Sequence, residues 1–442
     1  MRRRLRPIIS LFAAVGLLLI VSRLYAADIF LETSKRRSEK ITIGIIPFAS
    51  TASDGGSRSN ATDMALIAES ILKADLDRSR RFNVVDYVNN EARGIDLTNA
   101  PDKKMIAWAK KSGVLAIAWA KLYPSSDKWV MEAYAYEAGN GNPVIRIKMT
   151  TTDVRALAHR FSDKLVYYFT GGAGVAQTKI VYRVDQADGR GVYLMDYDGK
   201  NQSRLIADAS VIFPPRWSFD ATQIGYTEYR HGLSNIYLFQ LATGMKKKLF
   251  SSKGLSFAPA WSADGEGLVF SSTKEGNADL YAIRPDGSGL KRLTSHPAAD
   301  LSPTWSPTGR EIAFTSDRGG SPQIYVMNAD GGNARRLTYS GDYNTAAAWS
   351  SQGNEIAYTC RNHKGFSKLC IDQVQGDGRV EVTVEGNWDD ESPSWSPNGR
   401  EIVFTSNRFG KNQIFVIRPD RTGLIRLTAD SENNVSPAWS PQ

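Results

Sequence analysis

Tryptophan followed by serine recurs at Trp217, Trp261, Trp305, Trp349, Trp395 and Trp439, at intervals of 44, 44, 44, 46 and 44 residues. A unit of roughly 40 to 50 residues with several short strands cannot bury its own apolar face and stacks on copies of itself, which is the signature of a β-propeller. An aliphatic residue stands seven positions after the Trp and an aromatic nine after it: Ile224 and Tyr226, Leu268 and Phe270, Ile312 and Phe314, Ile356 and Tyr358, Ile402 and Phe404. Ile180 and Tyr182 keep the same two-residue step, which places both side chains on one sheet face.

The two elements are out of phase. The strand pattern begins at Ile180 with no Trp before it, and Trp439 has no strand after it. The economical solution is a ring of six blades in which the strand around Trp439 completes the blade begun at Ile180, leaving no unpaired end. Turn chemistry agrees. Ser306 to Gly309 and Ser396 to Gly399 read Ser-Pro-x-Gly, and Asp-Gly follows at Asp198, Asp286 and Asp330, each supplying the positive φ of a tight turn. The repeat Trp side chains are expected to fill the wedge between neighbouring sheets.

The first 26 residues have the order of an export signal: Arg2, Arg3, Arg4 and Arg6, an apolar run from Ile8 to Val21, then Ala26 and Ala27. That run is shorter than the ~20 residues a spanning helix needs, so cleavage near Ala26 is expected rather than membrane anchoring. Without those residues the chain holds 50 basic and 46 acidic residues, a net +4 in place of +9. The basic balance belongs largely to the signal, and no basic stripe interleaved with aromatics remains to support nucleic-acid binding.

Residues 41–170 read as a small α/β domain. Ile41 to Ala49 predicts a buried strand. A helix from about Thr62 to Ser79 follows, with Ile67, Ile71 and Leu72 on one face and Leu76 extending it. Phe82 to Val88 is a second strand, and Pro101 and Gly113 bracket a second helix carrying Ile106 and Ala109. Strands follow over Val114 to Tyr123, Lys128 to Glu137 and Pro143 to Met149. Val154, Leu157, Phe161, Leu165 and Tyr168 then mark a third, amphipathic helix. Residues 171–178 serve as a linker, 179–442 as the propeller, and 27–40 as a leading segment.

Chemistry is sparse. The four histidines lack metal-ligand spacing, no nucleophile elbow occurs, and the Gly-rich stretches match no phosphate-binding loop, so no catalytic residue, metal or cofactor is expected. Asp196 to Gly199 reads as a turn rather than a calcium loop. Cys360 and Cys370 lie on neighbouring strands of one hairpin and suit either a cross-strand disulfide or two buried thiols. Before each repeat Trp the pattern relaxes at Ser256 to Ala258, Asp300 to Ser302, Asn344 to Ala346, Asp389 to Ser392 and Asn433 to Ser436. Read as loops, these segments emerge together on one face around the channel mouth, a polar surface suited to a protein ligand.

The export signal, GIIPF at Gly44 to Phe48, the α/β domain and six repeats ending in PAWSP at Pro437 to Pro441 together resemble the TolB family of periplasmic Tol-Pal system proteins. The resemblance spans nearly the whole sequence and implies a monomeric, non-enzymatic periplasmic adaptor. Such an adaptor maintains outer-membrane integrity and supports outer-membrane invagination during division. It implies binding of Pal, the peptidoglycan-associated lipoprotein, on one propeller face, here Leu255, Ala258, Asp300, Leu301, Ser302, Asn344, Thr345, Asp390, Glu391 and Asn434. It implies binding of TolA, an inner-membrane partner, by Ala27 to Thr33, with Asp28, Ile29, Phe30, Leu31 and Glu32 as contacts; Ile29 and Leu31 alternate as an added strand does. Other outer-membrane proteins are further expected partners. Two rival classes are a propeller lyase or hydrolase, which needs convergent titratable groups near Asp300, Asp389, Asp390 and Glu391, and a lectin using Tyr343 and Trp388.

Overall fold

The computed structural model describes residues 40–51, 58–87, 103–186, 189–208, 210–375, 378–383 and 386–442. The expected signal, the segment 27–39 and Pro101 lie outside these residues. Two compact units are present, with the boundary between Gly174 and Val175.

The first unit contains β1 (Ile41–Ile45), β2 (Ala49–Ser50), α1 (Arg58–Ser79), β3 (Phe82–Asp86), α2 (Lys103–Lys111), β4 (Ala116–Ser125), β5 (Lys128–Glu137), β6 (Pro143–Thr151) and α3 (Val154–Thr170). The sheet runs β3-β1-β4-β5-β6, with β2 also beside β4. β1 is parallel to β3 and β4, and the β4-β5-β6 meander is antiparallel. Ala116, Ala118, Ala120, Leu122 and Met131 face α1 and α3 in one core.

Helix α1 buries Ile71, Leu72 and Leu76 of its expected face but leaves Ile67 exposed, and the buried stripe extends instead through Ala61, Ala65 and Ala68. Alanines let the helix sit close to its neighbours, and a stripe of small residues is invisible when only large apolar side chains are counted. Tyr168 of α3 is likewise exposed, whereas Leu157, Phe161 and Leu165 are fully buried. Asp153 caps α3 by accepting from the Arg155 amide at 2.8 Å, and Gly171 closes it at φ +67°. On the other sheet face Trp108 of α2 lies over Gly44, where a Cβ would come within 2.6 Å of the indole. Only glycine fits beneath that ring, which explains the first residue of GIIPF.

The second unit is six four-stranded antiparallel sheets. Five follow chain order, beginning with inner strands Val211–Trp217, Ser256–Trp261, Asp300–Trp305, Asn344–Trp349 and Asp390–Trp395. The sixth joins Asn433–Trp439 to Lys179–Gln186, pairing Trp439 with Ile180. Counting the blade begun at Lys179 as blade 1, each inner strand touches the inner strands of both neighbouring blades, and Asn433–Trp439 touches Val211–Trp217, so the ring is closed.

Local rules of the repeat carry across that closure. The hydroxyl of Ser396 accepts from the Glu401 amide at 3.0 Å, and Ser306 does the same for Glu311. Ser440 accepts from the Lys179 amide at 3.0 Å, 261 residues away. Gly309 and Gly399 have φ of +68° and +67°, as the Ser-Pro-x-Gly turns require. Cross-strand aromatic pairs meet at about the same separation in blades 2, 3 and 6: Tyr226–Tyr237 at 5.8 Å, Phe270–Tyr281 at 6.0 Å and Phe404–Phe415 at 5.9 Å. In blade 5 Tyr358 instead faces Cys370, which forms a disulfide with Cys360 across a Cα separation of 5.8 Å. Of the two states left open by the sequence, the disulfide is the one formed.

Outer strands of blades 3 to 6 are two residues long, and those of blades 3 and 4 consist of Lys291–Arg292 and Arg335–Arg336. Short, cationic edges resist pairing with another chain. Arg292, Arg336 and Arg426 also donate to the carbonyls of Thr294, Thr338 and Thr428. Those threonine hydroxyls in turn accept from the amides of Leu280, Ile324 and Ile414.

Candidate functional site

The segments expected to be loops are strands. Ser256, Asp300, Asn344, Asp390 and Asn434 occupy one equivalent position five residues before the repeat Trp, on the inner strands, and all five are fully buried. Convergence of six blades on one axis closes over these side chains, which no single strand pattern reveals.

Their polar groups are engaged in part, the Asn344, Asp390 and Asn434 side chains each keeping one buried oxygen outside any hydrogen bond. Arg318 donates to both oxygens of Asp300 at 2.9 Å. Arg408 contacts Asp390 at 2.7 Å, and the buried Lys368 ammonium lies 3.8 Å from the same carboxylate. Burial holds Lys368 below the ordinary lysine range, Asp390 opposing that shift; its ammonium also donates to the Trp388 carbonyl at 2.7 Å. Asn344 donates to Gln323 at 2.8 Å, and Asn434 donates to Asp430 at 2.7 Å. Asp300 and Asp390 therefore have basic partners that do not stand beside them in the sequence. Both arginines stand 18 residues after the acid they bind, a repeated spacing that would have located them.

A bulge follows in each of these strands. Ala258, Ser302, Ala346, Ser392 and Ser436 adopt φ between +51° and +56°, a region costly to non-glycine residues. Four of the five use their amide across the blade seam: Ser302 to Ser271, Ala346 to Thr315, Ser392 to Thr359 and Ser436 to Thr405, at 2.9 to 3.3 Å. The bulge thus stitches neighbouring sheets. Ala258 is buried and offers little surface.

Of the residues expected to contact Pal, the structure leaves Leu255 and Glu391 exposed and Leu301, Ser302 and Thr345 half-buried. Glu391 accepts from the Ser367 hydroxyl at 2.9 Å. Residues that the sequence reading passed over share this end of the blades: Tyr339 at 73% exposure, Phe409 at 66%, Leu233 and Tyr229. Arginines lie over several of the rings here, Arg336 on Tyr339 at 5.1 Å, Arg426 on Phe409 at 5.0 Å and Arg361 on Tyr343 at 4.2 Å. Exposed apolar side chains bordered by guanidinium groups form a surface typical of protein recognition. The residues Asp28 to Glu32 expected to contact TolA lie outside the described residues.

Comparison with known proteins places these features. The Tol-Pal system protein TolB of Methylococcus capsulatus is 32% identical over 237 residues, covering 52% of this chain and 53% of that protein. Its counterpart in Anaeromyxobacter dehalogenans is 34% identical over 204 residues, 45% of each chain. The chain thus spans about half the length of the curated relatives it matches. The crystal structure of TolB from Acinetobacter baumannii superposes with a TM-score of 0.75 at 24% identity, covering 91% of this chain and 97% of that one, and shares the fold. The TolB beta propeller domain matches residues 167–442, more than half the sequence, and the chain belongs to that family.

Proposed function

We propose that the chain is a periplasmic, non-enzymatic adaptor of a Tol-Pal system. It binds Pal on the propeller face bearing Leu255 and Leu301, and TolA through Ala27 to Thr33. In this role it maintains outer-membrane integrity and supports invagination during division. One observation carries the reading: the carboxylates that a propeller enzyme would use at this face, Asp300 and Asp390, are buried and bound by Arg318, Arg408 and Lys368. Apart from Glu391, which is hydrogen-bonded to Ser367, the surface left at this end is largely apolar and aromatic, the composition of a docking patch rather than an acid-base centre. The lectin reading fares no better, since cations lie against both of its rings, Arg361 on Tyr343 and Arg408 on Trp388.

Capture experiments with purified Pal and TolA test each half separately. Deleting Ala27 to Thr33 abolishes TolA capture and leaves the thermal unfolding midpoint unchanged. Leu255→Asp combined with Leu301→Asp abolishes Pal capture while TolA is still bound. Unimpaired capture in either case removes that assignment.

A further inference from the structure

We propose that Arg216 and the indole N–H of Trp261 form an anion-binding site inside the propeller, at the seam between blades 2 and 3, which takes a small monoanion of carboxylate or halide type. Blade 2 departs from the repeat here. The residue before the Trp is Ala260, Thr304, Ala348, Ser394 or Ala438 in the other blades and Arg216 in this one. Among the described residues Arg216 is the one cation on the six inner strands.

Among the described residues none supplies it a counter-charge, and its guanidinium donates to the Pro215 carbonyl at 3.0 Å. The inner-strand carboxylates are engaged elsewhere, Asp300 by Arg318, Asp390 by Arg408 and Glu391 by Ser367. Arg216 is half-buried, and desolvation lowers its pKa from 12.5 to about 10 with no carboxylate opposing the shift. A guanidinium held in that state gains strongly from a bound anion.

A second donor stands at the same seam. At three of the other seams the Trp indole reaches back to the preceding blade: Trp305 donates to the Ala260 carbonyl at 3.2 Å, Trp395 to Ala348 at 3.1 Å and Trp217 to Ala438 at 3.0 Å, whereas Trp349 and Trp439 donate to the Gly353 carbonyl and the Thr178 hydroxyl. The same contact at this seam would take Trp261 to the Arg216 carbonyl, but unlike those five indoles its nitrogen is buried without an acceptor. Gly225 pairs in register with Arg216, and a Cβ there would lie 3.5 Å from that indole nitrogen. The missing side chain at Gly225 leaves room beside the indole nitrogen, next to the Arg216 backbone. The site lies at the opposite end of the inner strand from the proposed Pal face, and it does not depend on that assignment.

The test is thermal unfolding of the purified protein in sodium formate or sodium chloride, with ionic strength held constant by sodium sulfate. A ligand that binds only the folded state raises the midpoint in a saturable way. The expected result is such a rise, abolished by Arg216→Gln and shifted about fivefold to weaker apparent affinity by Trp261→Phe, which removes a single hydrogen bond. A stronger response to formate assigns a carboxylate site, and a stronger response to chloride a halide site. A wild-type protein indifferent to both anions, or an Arg216→Gln variant that responds equally, overturns the proposal. Should Arg216→Gln fail to fold, bromide-soaked crystals of the unaltered protein decide: an anomalous peak within hydrogen-bond distance of the Arg216 guanidinium supports the site, and its absence refutes it.

Discussion

Replacing Trp439 by alanine tests whether the ring is closed by its last strand. Trp439 is 5% exposed and packs among Ile180, Tyr182, Val403, Ile414 and Val416, which come from the first and last blades. Its indole nitrogen donates to the Thr178 hydroxyl at 2.8 Å. Removing a buried indole costs about 3 to 5 kcal/mol. The loss includes a buried hydrogen bond worth about 1 kcal/mol net, which puts the expectation in the upper half of that range. Trp395 is the internal standard: it is 6% exposed and donates to the Ala348 carbonyl at 3.1 Å, but its blade is continuous in sequence. If closure is as firm as any other blade, Trp439→Ala and Trp395→Ala lower propeller stability by amounts within about 1 kcal/mol of each other. Guanidinium titration followed by far-UV circular dichroism measures both without relying on the fluorescence of the deleted residue. A Trp439→Ala cost below about 1 kcal/mol alongside a full cost for Trp395→Ala would refute the reasoning, because it would mean that the closing strand carries none of the ring's cohesion.

Arg408→Met leaves the buried Asp390 with Lys368 alone at 3.8 Å and is expected to destabilise the propeller by about 3 to 5 kcal/mol, with Arg408→Met/Asp390→Asn recovering much of it in the same titration. In acid, the turns after Trp217 and Trp261 weaken. The Ser218 hydroxyl holds the Asp220 carboxylate below its usual 3.8, and the Ser262 hydroxyl does so for Asp264. A carboxylate whose folded pKa is depressed stabilises the fold above its unfolded pKa, and that contribution is lost as pH falls through the lower folded value. Asp220→Asn with Asp264→Asn is therefore expected to flatten the decline in stability below about pH 4, measured as unfolding midpoint against pH; an unchanged acid limb would show that these turns do not contribute.

The ring itself was legible in the residues. Period, strand alternation and turn chemistry are local, repeat six times, and leave one arithmetic solution in which Trp439 meets Ile180. The α/β unit was legible to within a few residues at most element ends, because caps such as Asp153 and Gly171 act within one turn of their helix. Burial and partnership were decided elsewhere. The face of α1 keeps Ile71, Leu72 and Leu76 but is completed by alanines rather than by Ile67, since close approach to its neighbours is a property of the packed pair. Asp300 and Asp390 look like surface acids in a polar stretch and become buried ion pairs once six inner strands converge and bring Arg318 and Arg408 against them. The state of Cys360 and Cys370 likewise turned on a register offset that places both on one face of the hairpin. The sequence by itself determined which segments pair and how often, because those forces act between neighbours along the chain. Only the tertiary structure decided which polar groups still face water, because that depends on what distant blades bring to the same axis.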